Sequence, residues 1–120
     1  MSAKKLVEKF YKSEALINEK VMDEYLHPDF LLEWHSSKGF IKMNRAELLS
    51  MTKDIEAAYI SCRTKFSSLI AEKDIVSASF MFYANTIENP REEMLLAHLM
   101  VTWEIKDDKL YRGSLMSQFG

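Results

Sequence analysis

The stretch YLHPDFLLEWHSSKG, residues 25–39, changes its apolar period halfway along. Before it, apolar residues recur every three or four positions. Within it, Phe30, Leu32 and Trp34 alternate onto one face, while Leu31, Glu33 and His35 take the other. Pro28 disfavours the helical conformation for His27, so a helical run is expected to end there and a strand to follow over residues 30–35. The all-apolar set should face an interior, which leaves Glu33 and His35 outside or at a rim. Ser36, Ser37 and Gly39 then supply a turn.

Working outward toward the N-terminus, Leu6, Val7, Phe10, Ile17 and Val21 form one helical stripe, which predicts a single helix over residues 2–26 with Ser2 as its N-cap. Glu14 falls four residues after Phe10, either at the edge of that stripe or facing something polar. Toward the C-terminus, residues 40–43 can pair back as a short strand. Asn44 and Glu47 form a capping box that opens a helix to about residue 57, with Leu48, Met51 and Ile55 toward the core. Residues 59–71, 75–88, 93–106 and 110–119 read as strands, separated by Glu72-Lys73-Asp74, Asn89-Pro90 and Asp107-Asp108. Short connections imply antiparallel neighbours. Val76, Ala78, Phe80, Phe82 and Ala84 share an inward face, as do Leu99, Val101, Trp103 and Ile105. Met81 and Met100 leave the outer face less polar than a solvated sheet, which suggests a second copy of the chain over it.

The 120 residues are enough for one domain, residues 1–120, with no linker or repeat. A net charge of −2 argues against nucleic acid as the partner. No apolar run reaches the roughly 18 residues of a membrane span. Cys62, the only cysteine, excludes an internal disulfide and a multi-cysteine zinc site, and an intracellular, cytoplasmic location is expected. Three glycines leave no phosphate-cradling loop, so no dinucleotide cofactor is expected.

The order helix, YLHPDFLLEWHSSKG, capped helix and four long strands resembles the nuclear transport factor 2-like superfamily, and more narrowly the SnoaL-like small proteins. The terminal VTWEIKDDKLYRG is similar to the last hairpin of that group. The resemblance implies an α+β cone, also described as cystatin-like: a curved antiparallel sheet wrapped around N-terminal helices, open at one end and dimerising through its outer face. It also implies a small organic molecule in the open end, handled in some members by isomerase, cyclase or dehydratase chemistry. Isomerase members need a carboxylate base and an oxyanion hole, and the resemblance places those roles near Phe10, Trp34 and Val101, none of which moves a proton.

Three readings stay open. In the first, an apolar molecule sits in an interior lined by Phe10, Trp34, Phe80, Phe82, Leu99, Val101 and Trp103, oriented by Tyr11, Glu14 or His35. In the second, His35 acts as a base with Glu33 or Glu14, because imidazole titrates near neutrality. In the third, the core is filled and the chain is a dimerising module. A metal at Glu33, His35 and Asp29 or His98 is not expected, since the histidines lack ligand spacing. Arg112 falls on the Trp103 face if the Asp107-Asp108 turn has two residues, and on the other if the turn is a three-residue bulge.

Overall fold

The computed structural model describes residues 2–119. The first helix, α1, spans Ala3–Lys12, and Ser2 caps it by accepting the Lys5 N–H at 3.2 Å. Leu6, Val7, Phe10 and Tyr11 are its buried face. The single helix expected over residues 2–26 is not formed. Glu14 takes a left-handed conformation (φ 60°), a short 3₁₀ turn follows at Ala15–Ile17, and a separate helix, α2, spans Glu19–Tyr25. The apolar spacing reads through the break because Ala15, Ile17 and Met22 remain buried on either side of it. Two polar groups make the break. The Glu14 carboxylate accepts the Cys62 N–H at 3.0 Å, and the Asn18 side chain accepts the Val21 N–H at 3.2 Å as the cap of α2.

Strand β1 spans Leu26–Ser36, beginning four residues earlier than the alternation suggests, and β2 spans Gly39–Asn44. Helix α3, Arg45–Glu56, opens on the complete Asn44–Glu47 capping box. Strands β3 (Tyr59–Glu72), β4 (Ile75–Thr86), β5 (Glu93–Lys106) and β6 (Lys109–Phe119) follow. The six strands make one curved, unclosed sheet in the order β2-β1-β6-β5-β4-β3. The pairings are antiparallel except one: β1 lies parallel to β6, which short-loop reasoning does not foresee. Pro28 is accommodated because the β1–β6 ladder is irregular between Leu26 and Leu31, where no strand partner needs its missing N–H. Buried His27 secures this corner. Its Nδ1 accepts the Asp29 N–H at 2.9 Å, and its Nε2 lies 3.2 Å from Asp107 at the tip of the β5–β6 hairpin.

That tip is a two-residue turn with Asp107 and Asp108 both left-handed, at φ 54° and 56°. Even so, Arg112 does not share the Trp103 face. A bulge beyond the Ile105–Leu110 pair brings Arg112 opposite Glu104 and Gly113 opposite Trp103. Arg112 therefore stays outside, stacked on the Tyr111 ring at 3.9 Å and bonded to the Asp29 carbonyl.

The shifted register places a glycine under the Trp103 indole. A Cβ at residue 113 would lie 2.4 Å from Trp103 Cζ3 and 2.9 Å from the Leu32 side chain. Both neighbours are buried, so a methyl group there overlaps packed side chains that must shift to admit it. Gly113→Ala is expected to cost about 1–3 kcal/mol by overpacking, read as a lower urea midpoint at an unchanged slope.

Candidate functional site

Between the helices and the inner face of the sheet lies a cavity of about 240 Å³. Its wall is almost wholly apolar. Phe10, Tyr11 and Leu16 contribute from the N-terminal segment, Met22 from α2, and Leu48, Met51 and Ile55 from α3. The sheet supplies Leu32 and Trp34 from β1, Phe80 and Phe82 from β4, Leu99 and Trp103 from β5, and Leu115 and Ser117 from β6. Of the seven residues expected to line an interior, six do so. Val101 is buried in the core but does not reach the cavity.

The polar groups inside are few and paired in the same way. Trp103 Nε1 donates to the Tyr11 hydroxyl at 3.0 Å, and Trp34 Nε1 donates to Ser117 Oγ at 2.8 Å. Among the described residues Tyr11 makes no other hydrogen bond through its hydroxyl. Burial moves the Tyr11 phenol well above its ordinary range, outweighing the opposing effect of the Trp103 bond, so Tyr11 stays protonated.

The other candidates stand elsewhere. Glu33 and His35 are exposed on the outer face of β1, and His35 packs against Phe40 at 4.4 Å between ring centroids. Glu14 is also exposed and holds the β3 backbone. The structure does not bring these three to the cavity, and among the described residues no three His, Cys, Asp or Glu side chains converge in a metal-ligating group. An outer groove of about 340 Å³ lies between Glu33, Lys42, Glu104 and Arg112, with Leu31 and Ile75 also in its wall, and holds neither tryptophan.

Sequence reasoning missed Leu115 and Ser117. Alternation from Gly113 would have placed both inward once the bulge was known. Leu96 also lines the cavity and lies at the β4–β5 register shift, where Phe82 faces Ala97 and Tyr83 faces Leu95.

No family model and no curated protein matches the chain. Solved structures do match in shape. IdmH from Streptomyces antibioticus, provisionally assigned as a polyketide cyclase, superposes with a TM-score of 0.73 at 11% identity, over 98% of this chain and 92% of that one. A protein with a ketosteroid isomerase-like fold from Catenulispora acidiphila, solved with trimethylamine, gives 0.67 at 11% identity, over 92% and 82%. An NTF2-like protein of unknown function from Burkholderia pseudomallei gives 0.65 at 12%, over 100% and 92%. The chain therefore has the nuclear transport factor 2-like fold, an α+β cone. No helix among the described residues is long and apolar enough to cross a membrane.

Cys62 lies outside the cavity lining, and burial, with a smaller contribution from the Glu14 carboxylate, pushes its thiol up to about 12. The thiolate is the nucleophile, so its reactivity at neutral pH is suppressed. Iodoacetamide is expected to alkylate Cys62 at least about 100-fold more slowly than an unfolded-chain thiol at pH 7, with a rate that climbs until about pH 12. Glu14→Gln should lower that apparent pKa.

Proposed function

We propose that this chain is a SnoaL-like domain that binds a mostly apolar organic molecule in the cavity. The supporting observation is the aromatic, nearly uncharged wall around about 240 Å³ of free space. Small-molecule sites are mainly apolar with a few orienting polar groups, the pattern found here. An apolar cavity of roughly 150 Å³ stays dry and takes benzene, so this one suits a molecule of one or two fused rings. The IdmH and isomerase-like structures share the fold but not enough sequence to transfer a reaction. The acid–base alternative through His35 with Glu33 or Glu14 has less support, because all three side chains stand away from the cavity wall.

Calorimetric titration with naphthalene and tetralin tests the reading. Saturable binding is expected, together with a rise in thermal midpoint equivalent to about 2.7 kcal/mol at 100 times Kd. Leu96→Trp should weaken binding at least about tenfold by filling the space, a loss of about 1.4 kcal/mol. Absence of saturable binding by either hydrocarbon would sink the proposal.

The outer face supports self-association. Phe40 is opposite His35, His35 is opposite Met116, and Met116 is opposite Met100, so one row crosses four strands. Met100 and Met116 are 62% and 60% exposed. A patch of this kind suits a second copy, whose own row repeats under a two-fold axis. Sedimentation equilibrium is expected to give a dimer at micromolar concentration that Met100→Lys with Met116→Lys converts to monomer; a monomeric parent would contradict it.

A further inference from the structure

The geometry points to His27 as a proton-operated latch. In its neutral form it holds the junction of α2 and β1 against the tip of the β5–β6 hairpin, and on protonation it lets that junction go. An imidazole nitrogen that accepts a hydrogen bond carries no proton. His27 Nδ1 accepts the Asp29 N–H at 2.9 Å, so the one proton of the neutral ring sits on Nε2. That nitrogen lies 3.2 Å from the Asp107 carboxylate and donates to it. Both ring nitrogens are thus in use, on a side chain only 9% exposed.

An imidazolium carries a proton on each nitrogen. The new Nδ1–H would point at the Asp29 N–H, two donors in contact with no acceptor between them. Either the ring leaves its place or the Asp29 amide turns away. Charged groups around the ring come from each element packed on it. Asp107, in the hairpin turn, favours the cation, but its side chain is 76% exposed and water screens that attraction. Tyr111 of β6 meets the ring edge-on at 4.8 Å. Over the Tyr111 ring lie Lys106 at 4.7 Å and Arg112 at 3.9 Å, two cations that oppose a third charge beside them. Glu24 of α2 and Asp29 of β1 each give a backbone carbonyl to the same hairpin, to Lys109 and Arg112. The clash of donors acts at contact distance, where no water lies between to screen it.

Those two carbonyl bonds define what the latch holds. With the His27–Asp107 contact they grip residues 24–29 from one side. The β1–β6 ladder is irregular between Leu26 and Leu31, so this grip stands in for regular strand pairing there. Helix α2 also carries Met22 into the cavity wall, and release loosens that side of the cavity. The released form takes up a proton that the latched form has no place for. Release therefore grows as pH falls through the imidazole range and is absent above it.

Nuclear magnetic resonance tests the latch. Long-range proton–nitrogen correlations of the His27 ring at about pH 8 should show a proton on Nε2 and none on Nδ1. At about pH 5.5, amide exchange in residues 22–27 and at Asp29, corrected for its intrinsic pH dependence, should quicken about tenfold, the size of one lost hydrogen bond. His27→Asn keeps an acceptor for the N–H two residues on, as an Asx turn, and does not titrate, so its corrected exchange should be the same at both pH values. If that variant does not fold, the wild-type protein decides alone. Protection of the Asp29 amide should fall over the interval in which the His27 ring signals move, followed separately from those of exposed His35 and His98. An Asp29 amide that stays protected beside an imidazolium overturns the inference. So does a ring still neutral at about pH 5.5, a proton on Nδ1 at about pH 8, or an acid response retained in His27→Asn.

Discussion

The Trp103 indole, resting on Gly113 and bonded to Tyr11, joins the sheet to the first helix. A side chain at residue 113 would push the indole off the sheet, and loss of the Tyr11 hydroxyl would strand its N–H in an apolar surround. That contact therefore fixes how far α1 stands from β5. Phe10, Phe30 and Phe80 pack around the two rings at tilted or edge-on angles, the arrangement aromatic quadrupoles prefer. The space left over, bounded by α3 on its far side, is the cavity.

Curvature of the sheet depends on departures from regular pairing. Bulges interrupt the β3–β4, β4–β5 and β5–β6 ladders, and the parallel β1–β6 ladder is irregular around Pro28. A bulge bends its strand and shifts the register beyond it. The β5–β6 bulge has the largest chemical consequence. It moves Arg112, a group that is costly to bury, to the outer face and brings a glycine under Trp103. One inserted residue thus keeps a guanidinium away from the cavity.

Separation of charge from the interior runs through the whole molecule. Ion pairs such as Arg63–Glu93 and Glu8–Lys12 lie at the surface, and the Arg63 bond holds Glu93 below the usual carboxylate range. Inside, hydroxyls, indoles and the His27 imidazole supply the polarity. This division leaves the cavity wall without a charged side chain.

Much of this was legible in the residues themselves. Alternation in residues 30–35 placed Phe30, Leu32 and Trp34 inward and Glu33 and His35 outward, because a strand offers two faces and only one set is wholly apolar. The Asn44–Glu47 capping box, the limits of most strands after β1 and most of the cavity wall follow from equally local rules. Three features required the tertiary structure. The helix break at Glu14 depends on a hydrogen bond to residue 62, and the parallel β1–β6 pairing depends on where the sheet folds back. Whether Arg112 or Gly113 faces Trp103 depends on a bulge. Each is decided by partners distant in sequence, whereas periodicity records only what neighbouring residues share.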